Sequence, residues 1–277
     1  MQMKKQHPGF ILILCAFTLL LYSCKKEIES PQELTADQRA AQSNPAEKFN
    51  VFKGPSVEVG NGHARSWIRM NHLGEPKELG MELTPGALTG LPDHHDIPTP
   101  DHTTIVLPLH QKAIEATTFE HIGLNWNPAG HPPPFLFMVP HFDIHFYMIT
   151  DEERMAIPAY TPNSAFDVYP PAGYMPLDYS PGPGGEIAMG KHWSLPPAQI
   201  APFTRTMILG TYDGQLIFQE PMVTLAYLTS GASSTLPISQ PAKFAEAGYY
   251  PTSYRVYVDD KGNHQVTLTD FVARTAN

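Results

Sequence analysis

The stretch Gly130-His131-Pro132-Pro133-Pro134-Phe135-Leu136-Phe137-Met138-Val139-Pro140-His141-Phe142-Asp143-Ile144-His145-Phe146-Tyr147-Met148-Ile149 decides how the chain is read. Taken as a β-strand, its side chains alternate between two faces with period two. His141, Asp143 and His145 project from one face, flanked by Val139 and Tyr147. Phe142, Ile144, Phe146 and Met148 project from the other, which is wholly apolar. A strand this dry has little reason to hold two imidazoles and a carboxylate in register unless they meet a partner, a metal or a substrate.

Strand signals continue on both sides. Ser56-Val-Glu-Val and His63-Ala-Arg-Ser-Trp-Ile-Arg-Met alternate across Gly60-Asn61-Gly62, a hairpin signal. Further strands are expected at residues 78–83, 104–109, 119–126, 203–211 and 215–220, the last two joined by Tyr212-Asp213-Gly214. Another pair, residues 251–259 and 264–271, spans a polar turn. Thr84-Pro85 opens a short helical turn, residues 111–116 read as a crossing link, and residues 151–154 start a short helix. With 29 Pro and 20 Gly among 277 residues, the chain reads as mainly β: a single β-barrel or β-sandwich domain with long Pro/Gly-rich loops and few short helices. The longest such loop, residues 157–188, is long enough to be a lid, a binding loop or an interface arm.

The N-terminus carries an address. Lys4 and Lys5 precede an apolar run, residues 10–20, that is short for a bilayer span and ends in Leu21-Tyr22-Ser23-Cys24. This resembles the lipobox of bacterial lipoproteins and implies acylation of Cys24. Residues 1–23 are then a lipoprotein signal peptide, 24–50 a polar lipid-linked tether and 51–277 the β-rich domain. The expected location is the bacterial cell envelope, periplasmic or on the outer surface, with the membrane as partner through lipid. Cleavage leaves Cys24 as the sole cysteine, so neither a disulfide nor a thiolate metal site is expected. The formal charge of −9 becomes −11 once Lys4 and Lys5 are removed, an acidic balance that argues against nucleic acid as a partner.

The candidate chemistry is metal binding. His141 and His145 lie at i and i+4, roughly 13 Å apart at strand rise, too far to share one ion on a regular strand. Asp143 therefore becomes the central group, as a ligand beside one histidine or as an orienter of an imidazole. Further ligands are expected from His131, His192 and Glu220. Glu220 reads in phase with Leu216 and Phe218 on an apolar face, where an unpaired carboxylate is costly. The set His131, His141, Asp143, His145, His192 and Glu220 suits a divalent transition metal (zinc, iron or manganese). Asp143 or Glu220 would act as the catalytic base if the protein is an enzyme, a hydrolase, lyase or oxygenase. The loop at residues 92–104 also collects His and Asp, residue types that loops use for turns and solvation as well. There is no His-Glu-x-x-His, nucleophile elbow, phosphate loop or dinucleotide fingerprint.

Gly130-His131-Pro132-Pro133, Pro140-His141-Phe142-Asp143-x-His145-Phe146-Tyr147, Met189-Gly190-x-His192-Trp193 and Tyr212-Asp213-Gly214 to Glu220-Pro221-Met222 resemble the signature of a family of exported bacterial and archaeal proteins classed as a domain of unknown function. The resemblance runs from about Val59 to the C-terminal strand. It implies a β-rich, self-associating extracytoplasmic domain, hence a homo-oligomer, and groups the six candidate ligands without assigning a reaction or a small-molecule ligand. The competing reading is a non-catalytic binding or assembly module whose His/Asp cluster is a structural hydrogen-bond network. The three tryptophans, Trp67, Trp126 and Trp193, read as core.

Overall fold

Alternating apolar strands must bury one face, and this chain does so by stacking two sheets. The computed structural model describes residues 48–93 and 104–277. All of these fall within one compact unit, Glu47–Asn277. The leader, Cys24, most of the tether and the greater part of the His/Asp loop lie outside the described residues.

Each sheet is built from two meanders that meet in its middle. The first sheet takes β1 (Phe49–Val59), β2 (Gly62–Asn71) and β3 (Pro76–Leu83), and then β13 (His264–Arg274), β12 (Gly248–Val258) and β11 (Ser234–Pro237). The second takes β4 (Ile105–Pro108), β5 (His121–Asn127) and β6 (His141–Tyr147), and then β10 (Gln215–Thr224), β9 (Arg205–Tyr212), β8 (Lys191–Ser194) and β7 (Ser180–Pro181). All pairings are antiparallel. The central pairs, β3 with β13 and β6 with β10, join residues far apart in sequence.

The barrel alternative is thereby corrected to a sandwich. Closure needs the last strand to pair with the first. The C-terminal meander returns instead to β3, and β4 and β7 remain separate edges of the second sheet. β1 begins at Phe49, two residues inside the segment assigned to the tether. Only short helices interrupt the strands among the described residues: the α-helices Gln111–Ala116, Asp151–Met155, Pro197–Ile200 and Leu225–Thr229, and the 3-10 turns Pro85–Leu88 and Ala165–Asp167. The helix Asp151–Met155 starts cleanly because Thr150 and Glu153 form a reciprocal capping box.

The two sheets share one apolar layer. Ile68, Leu79, Met81, Leu83, Val266 and Leu268 from the first sheet meet Ile122, Leu124, Phe142, Ile144, Phe146 and Val223 from the second. Trp193 joins this layer and Trp126 packs against it, while Trp67 is buried elsewhere, donating from Nε1 to Gln265. The apolar face of β6 is thus the sandwich core, as its alternation predicts.

The opposite face of β6 is covered too, which explains why every residue of the strand is buried. A second apolar cluster lies there: Phe137, Tyr147, Ile157, Phe166, Ile200, Ile208, Ile217, Phe218 and Met222. The long Pro/Gly-rich segment supplies Ile157 and Phe166. It is tied down by Lys191 Nζ, 3.0 Å from Asp167 Oδ1, and by Arg154, whose guanidinium donates to the Ala188 carbonyl. The second sheet is therefore sandwiched between the core and a layer of loops, and the candidate ligands lie between sheet and loops.

Candidate metal centre

The ladder pairings place the polar residues in successive rows across the second sheet. In one row His121 faces Tyr147, Tyr147 faces Phe218, Phe218 faces Gly210 and Gly210 faces His192. In the next, Gly123 faces His145. Glu220 falls beside His145, because Phe218 pairs with Tyr147 and Met222 with Asp143. Asn125 faces Asp143 in the third row, and Asn127 faces His141 in the fourth.

Two details of β10 and β9 make the arrangement work. The register shifts between Leu216 and Phe218, so Ile217 is an extra residue. Leu216 consequently packs against the sandwich core, while Ile217 and Phe218 both turn to the loop side. This corrects the simple alternation that put Leu216 on the face of Glu220. On β9, a Cβ at Gly210 would lie 1.9 Å from the Phe218 ring. The glycine leaves room for that ring, and His145 (4.8 Å between ring centroids) and His192 (5.1 Å) pack against it.

The six expected ligands do not form one site. They divide into two groups, His131/His141/Asp143 and His145/His192/Glu220, and within each group one donor atom per residue lies within 4.8 Å of the others. The strand spacing already ruled out one ion between His141 and His145, and the structure gives each its own carboxylate. Asp143 serves His141 and His131; Glu220 serves His145 and His192.

In the first group the imidazoles are anchored from behind. His141 Nδ1 lies 2.6 Å from the Val139 carbonyl and His131 Nδ1 2.7 Å from the Pro132 carbonyl. A carbonyl only accepts, so both Nδ1 atoms carry the proton and each neutral ring keeps its Nε2 lone pair free. Those Nε2 atoms face Asp143, at 3.1 Å from Oδ1 for His141 and 3.3 Å from Oδ2 for His131. His141 Nε2 and Asp143 Oδ1 are nevertheless buried without a hydrogen bond. Burial alone would raise the Asp143 carboxyl, but the flanking His131 and His141 more than offset it and hold the group far below the ordinary carboxylate range. For His131 burial acts downward and Asp143 upward, with a net rise. The His131 side chain is 36% exposed, so this group opens toward solvent.

The second group is drier. Glu220 Oε2 lies 3.6 Å from His145 Nε2 and 3.7 Å from His192 Nε2, beyond hydrogen-bond distance. Both nitrogens of His145 and the Glu220 Oε2 are buried without partners. Burial, with the His192 charge second, pushes the His145 imidazole down to about 3, and burial pushes His192 down to about 4. Burial, reinforced by the Asp143 charge, raises the Glu220 carboxyl well above its usual value.

Both donor sets fit a metal ion. A tetrahedral ion with bonds of about 2.0–2.1 Å holds its donors about 3.4 Å apart. The imidazole–carboxylate separations, 3.1 and 3.3 Å in one group and 3.6 and 3.7 Å in the other, lie on either side of that spacing. Two histidines and one carboxylate form a set used by zinc and by non-haem iron, with coordination positions left over.

Several residues escaped the sequence reading. Asn127 donates from Nδ2 to Asp143 Oδ2 at 2.7 Å and fixes the carboxylate. His121 stacks on Tyr147 at 4.8 Å, and Tyr147 on His145 at 5.4 Å. Phe137 and Phe203 wall in His141. A signal for the first two was present in β5, where His121, Gly123, Asn125 and Asn127 alternate with Ile122, Leu124 and Trp126.

Comparison with protein-family models, with curated proteins and with solved structures finds no match. The fold and the site together define a two-sheet β-sandwich carrying two groups, each of two histidines and a carboxylate, that could hold a metal ion.

Proposed function

We propose that this is a lipid-anchored protein of the bacterial cell envelope that binds divalent transition-metal ions on the loop-covered face of its second sheet. Zinc, iron and manganese all suit the donors, since imidazole and carboxylate accept each of them and no thiolate competes. The observation that carries the reading is the pair His141 Nε2 and Asp143 Oδ1, buried, 3.1 Å apart and not hydrogen-bonded to each other. A buried imidazole nitrogen and carboxylate oxygen side by side, neither with a hydrogen-bond partner, are two donor atoms that a cation would satisfy.

The open group, His131/His141/Asp143, is the one suited to turnover. An ion there would polarise a substrate or lower the pKa of a bound water. Asp143 is then a ligand rather than the base. Glu220 is the carboxylate of the drier group and would be a ligand there. Membership of the exported family that the His-Phe-Asp motif resembles is part of the same proposal. No helix among the described residues is long and apolar enough to cross a membrane. The attachment proposed is the lipid on Cys24, on the strength of the lipobox-like Leu21-Tyr22-Ser23-Cys24.

The second reading is a binding or assembly module whose polar clusters only stabilise the sheet. The 2.7 Å bond from Asn127 to Asp143 favours it, since it partly satisfies the carboxylate without an ion. Elemental analysis of the purified protein separates the two. The metal reading expects stoichiometric metal that falls in His141→Ala and in His192→Ala. Absence of metal, with melting unchanged by a chelator, would overturn it.

A further inference from the structure

We propose that the loop at residues 132–140 docks on a lipid bilayer, seating Phe135, Met138 and Val139 among the acyl chains and holding the His131/His141/Asp143 group at the membrane surface. The loop reads Pro-Pro-Pro-Phe-Leu-Phe-Met-Val-Pro, nine apolar residues in succession, and no Asp, Glu, Lys or Arg occurs between Glu120 and Asp143. Its two ends carry His131 and His141. A segment of this composition normally turns inward, yet here only Phe137 is buried. Phe135 is fully exposed, Met138 is 50% exposed and Val139 40%. Phe135 also adopts φ +67°, a conformation that bulky L-residues rarely take. The fold thus bears an unfavourable backbone angle at the same residue it displays to solvent, and that combination points to an external apolar phase.

The size of the tip selects the occupant. A fully exposed Phe offers about 200 Å², and with half of Met138 and less of Val139 the tip presents on the order of 350 Å². A stable protein partner wants about 800 Å² per side, so a second copy is poorly served. A bilayer is well served, because inserting a few exposed apolar side chains needs no large complementary face and adds to the attachment that the lipid on Cys24 supplies. The loop itself carries no charged side chain whose water would have to be stripped on insertion. The acidic body supplies no attraction to an anionic surface, so the contact is one of apolar insertion.

The reach is sufficient. From Cys24 to Lys48 the chain can extend at most about 80 Å, against a diameter of about 45 Å for a domain of this size. A lipid on Cys24 therefore leaves the tip free to face the membrane. The docking stands on the loop alone; its consequence, that the substrate of the open group is an amphiphile presented at the interface, rests on the metal reading above.

The test reconstitutes the full chain in vesicles of phosphatidylglycerol and phosphatidylcholine brominated on its acyl chains. Tryptophan emission is compared for Phe135→Trp and for Leu73→Trp, an exposed control in the turn between β2 and β3. Docking expects Phe135→Trp to be quenched at least twofold more than the control. Equal quenching overturns it. So does a dimer in vesicle-free solution that Phe135→Ser converts to a monomer, which would assign the tip to a second copy. Elemental analysis of the same preparations reads the metal proposal separately: quenching without metal leaves the docking standing, and metal without quenching leaves only the metal site.

Discussion

Asn127 donates a 2.7 Å hydrogen bond to the Asp143 carboxylate from the strand position directly opposite His141. Its amide therefore sets which Asp143 lone pairs remain for an ion held beside His131 and His141.

Removing that amide should weaken the open group without emptying it. For Asn127→Leu we expect metal affinity at His131/His141/Asp143 to fall about 10- to 100-fold. The second group, which Asn127 does not touch, should keep its affinity. Titration with a competing chelator measures both.

Glu220 gives a change of sign. In chelated protein its buried Oε2 has no partner, so Glu220→Leu should stabilise the fold by about 1–3 kcal/mol. In metal-loaded protein the same variant loses a ligand and should melt below wild type. Paired thermal melts with and without chelator show whether the sign reverses.

His121 makes stability depend on pH. Burial pushes its imidazole down to about 4 from 6.5, against the opposing pull of Asp151. The unfolded chain therefore takes up a proton at a higher pH than the folded one. Stability is fully present above about pH 6.5 and falls as the pH drops toward 4. The whole span is worth about 3 kcal/mol. His121→Phe retains the stack on Tyr147 and should remove that part of the acid sensitivity. Urea unfolding in chelator at pH 7 and pH 4.5 gives the difference.

Gly210 tests the packing beneath the second group. An added methyl would meet the Phe218 ring at 1.9 Å, and neither can move without disturbing His145 or His192. Gly210→Ala should cost about 1–3 kcal/mol and lower metal content at His145/His192/Glu220 while sparing the open group.

Much of this was legible in the order of residues. The alternation of β6 divides Phe142, Ile144 and Phe146 from His141, Asp143 and His145, and the two sets lie on opposite faces. Spacing alone forbade a shared ion for the two histidines. The division into two groups was not legible, because it depends on which neighbours the ladder brings. Glu220 reaches His145 only through the pairing of β6 with β10, and comes near His192 only through the pairing of β9 with both β10 and β8. The start of β6 was also hidden. The pattern extends back to Val139, yet the strand begins at His141 because residues 131–140 fold into their own loop, closed by a bond from the His131 amide to the Phe137 carbonyl. The second apolar layer was hidden as well, since Phe137, Phe166 and Ile200 come from segments with no periodicity of their own.

The extra residue in β10 constrains how the chain can change length. Deleting Ile217 would leave Leu216 and Phe218 as consecutive residues opposite Thr211 and Gly210, a regular ladder in which Glu220 still faces the histidines. Deleting Gln219 would instead bring Glu220 opposite Leu209 and turn it into the sandwich core. A one-residue deletion in β10 therefore keeps the carboxylate in phase within the Ile217-Phe218 pair and loses it at Gln219, whereas substitutions at Leu216 or Gln215 leave the phase untouched.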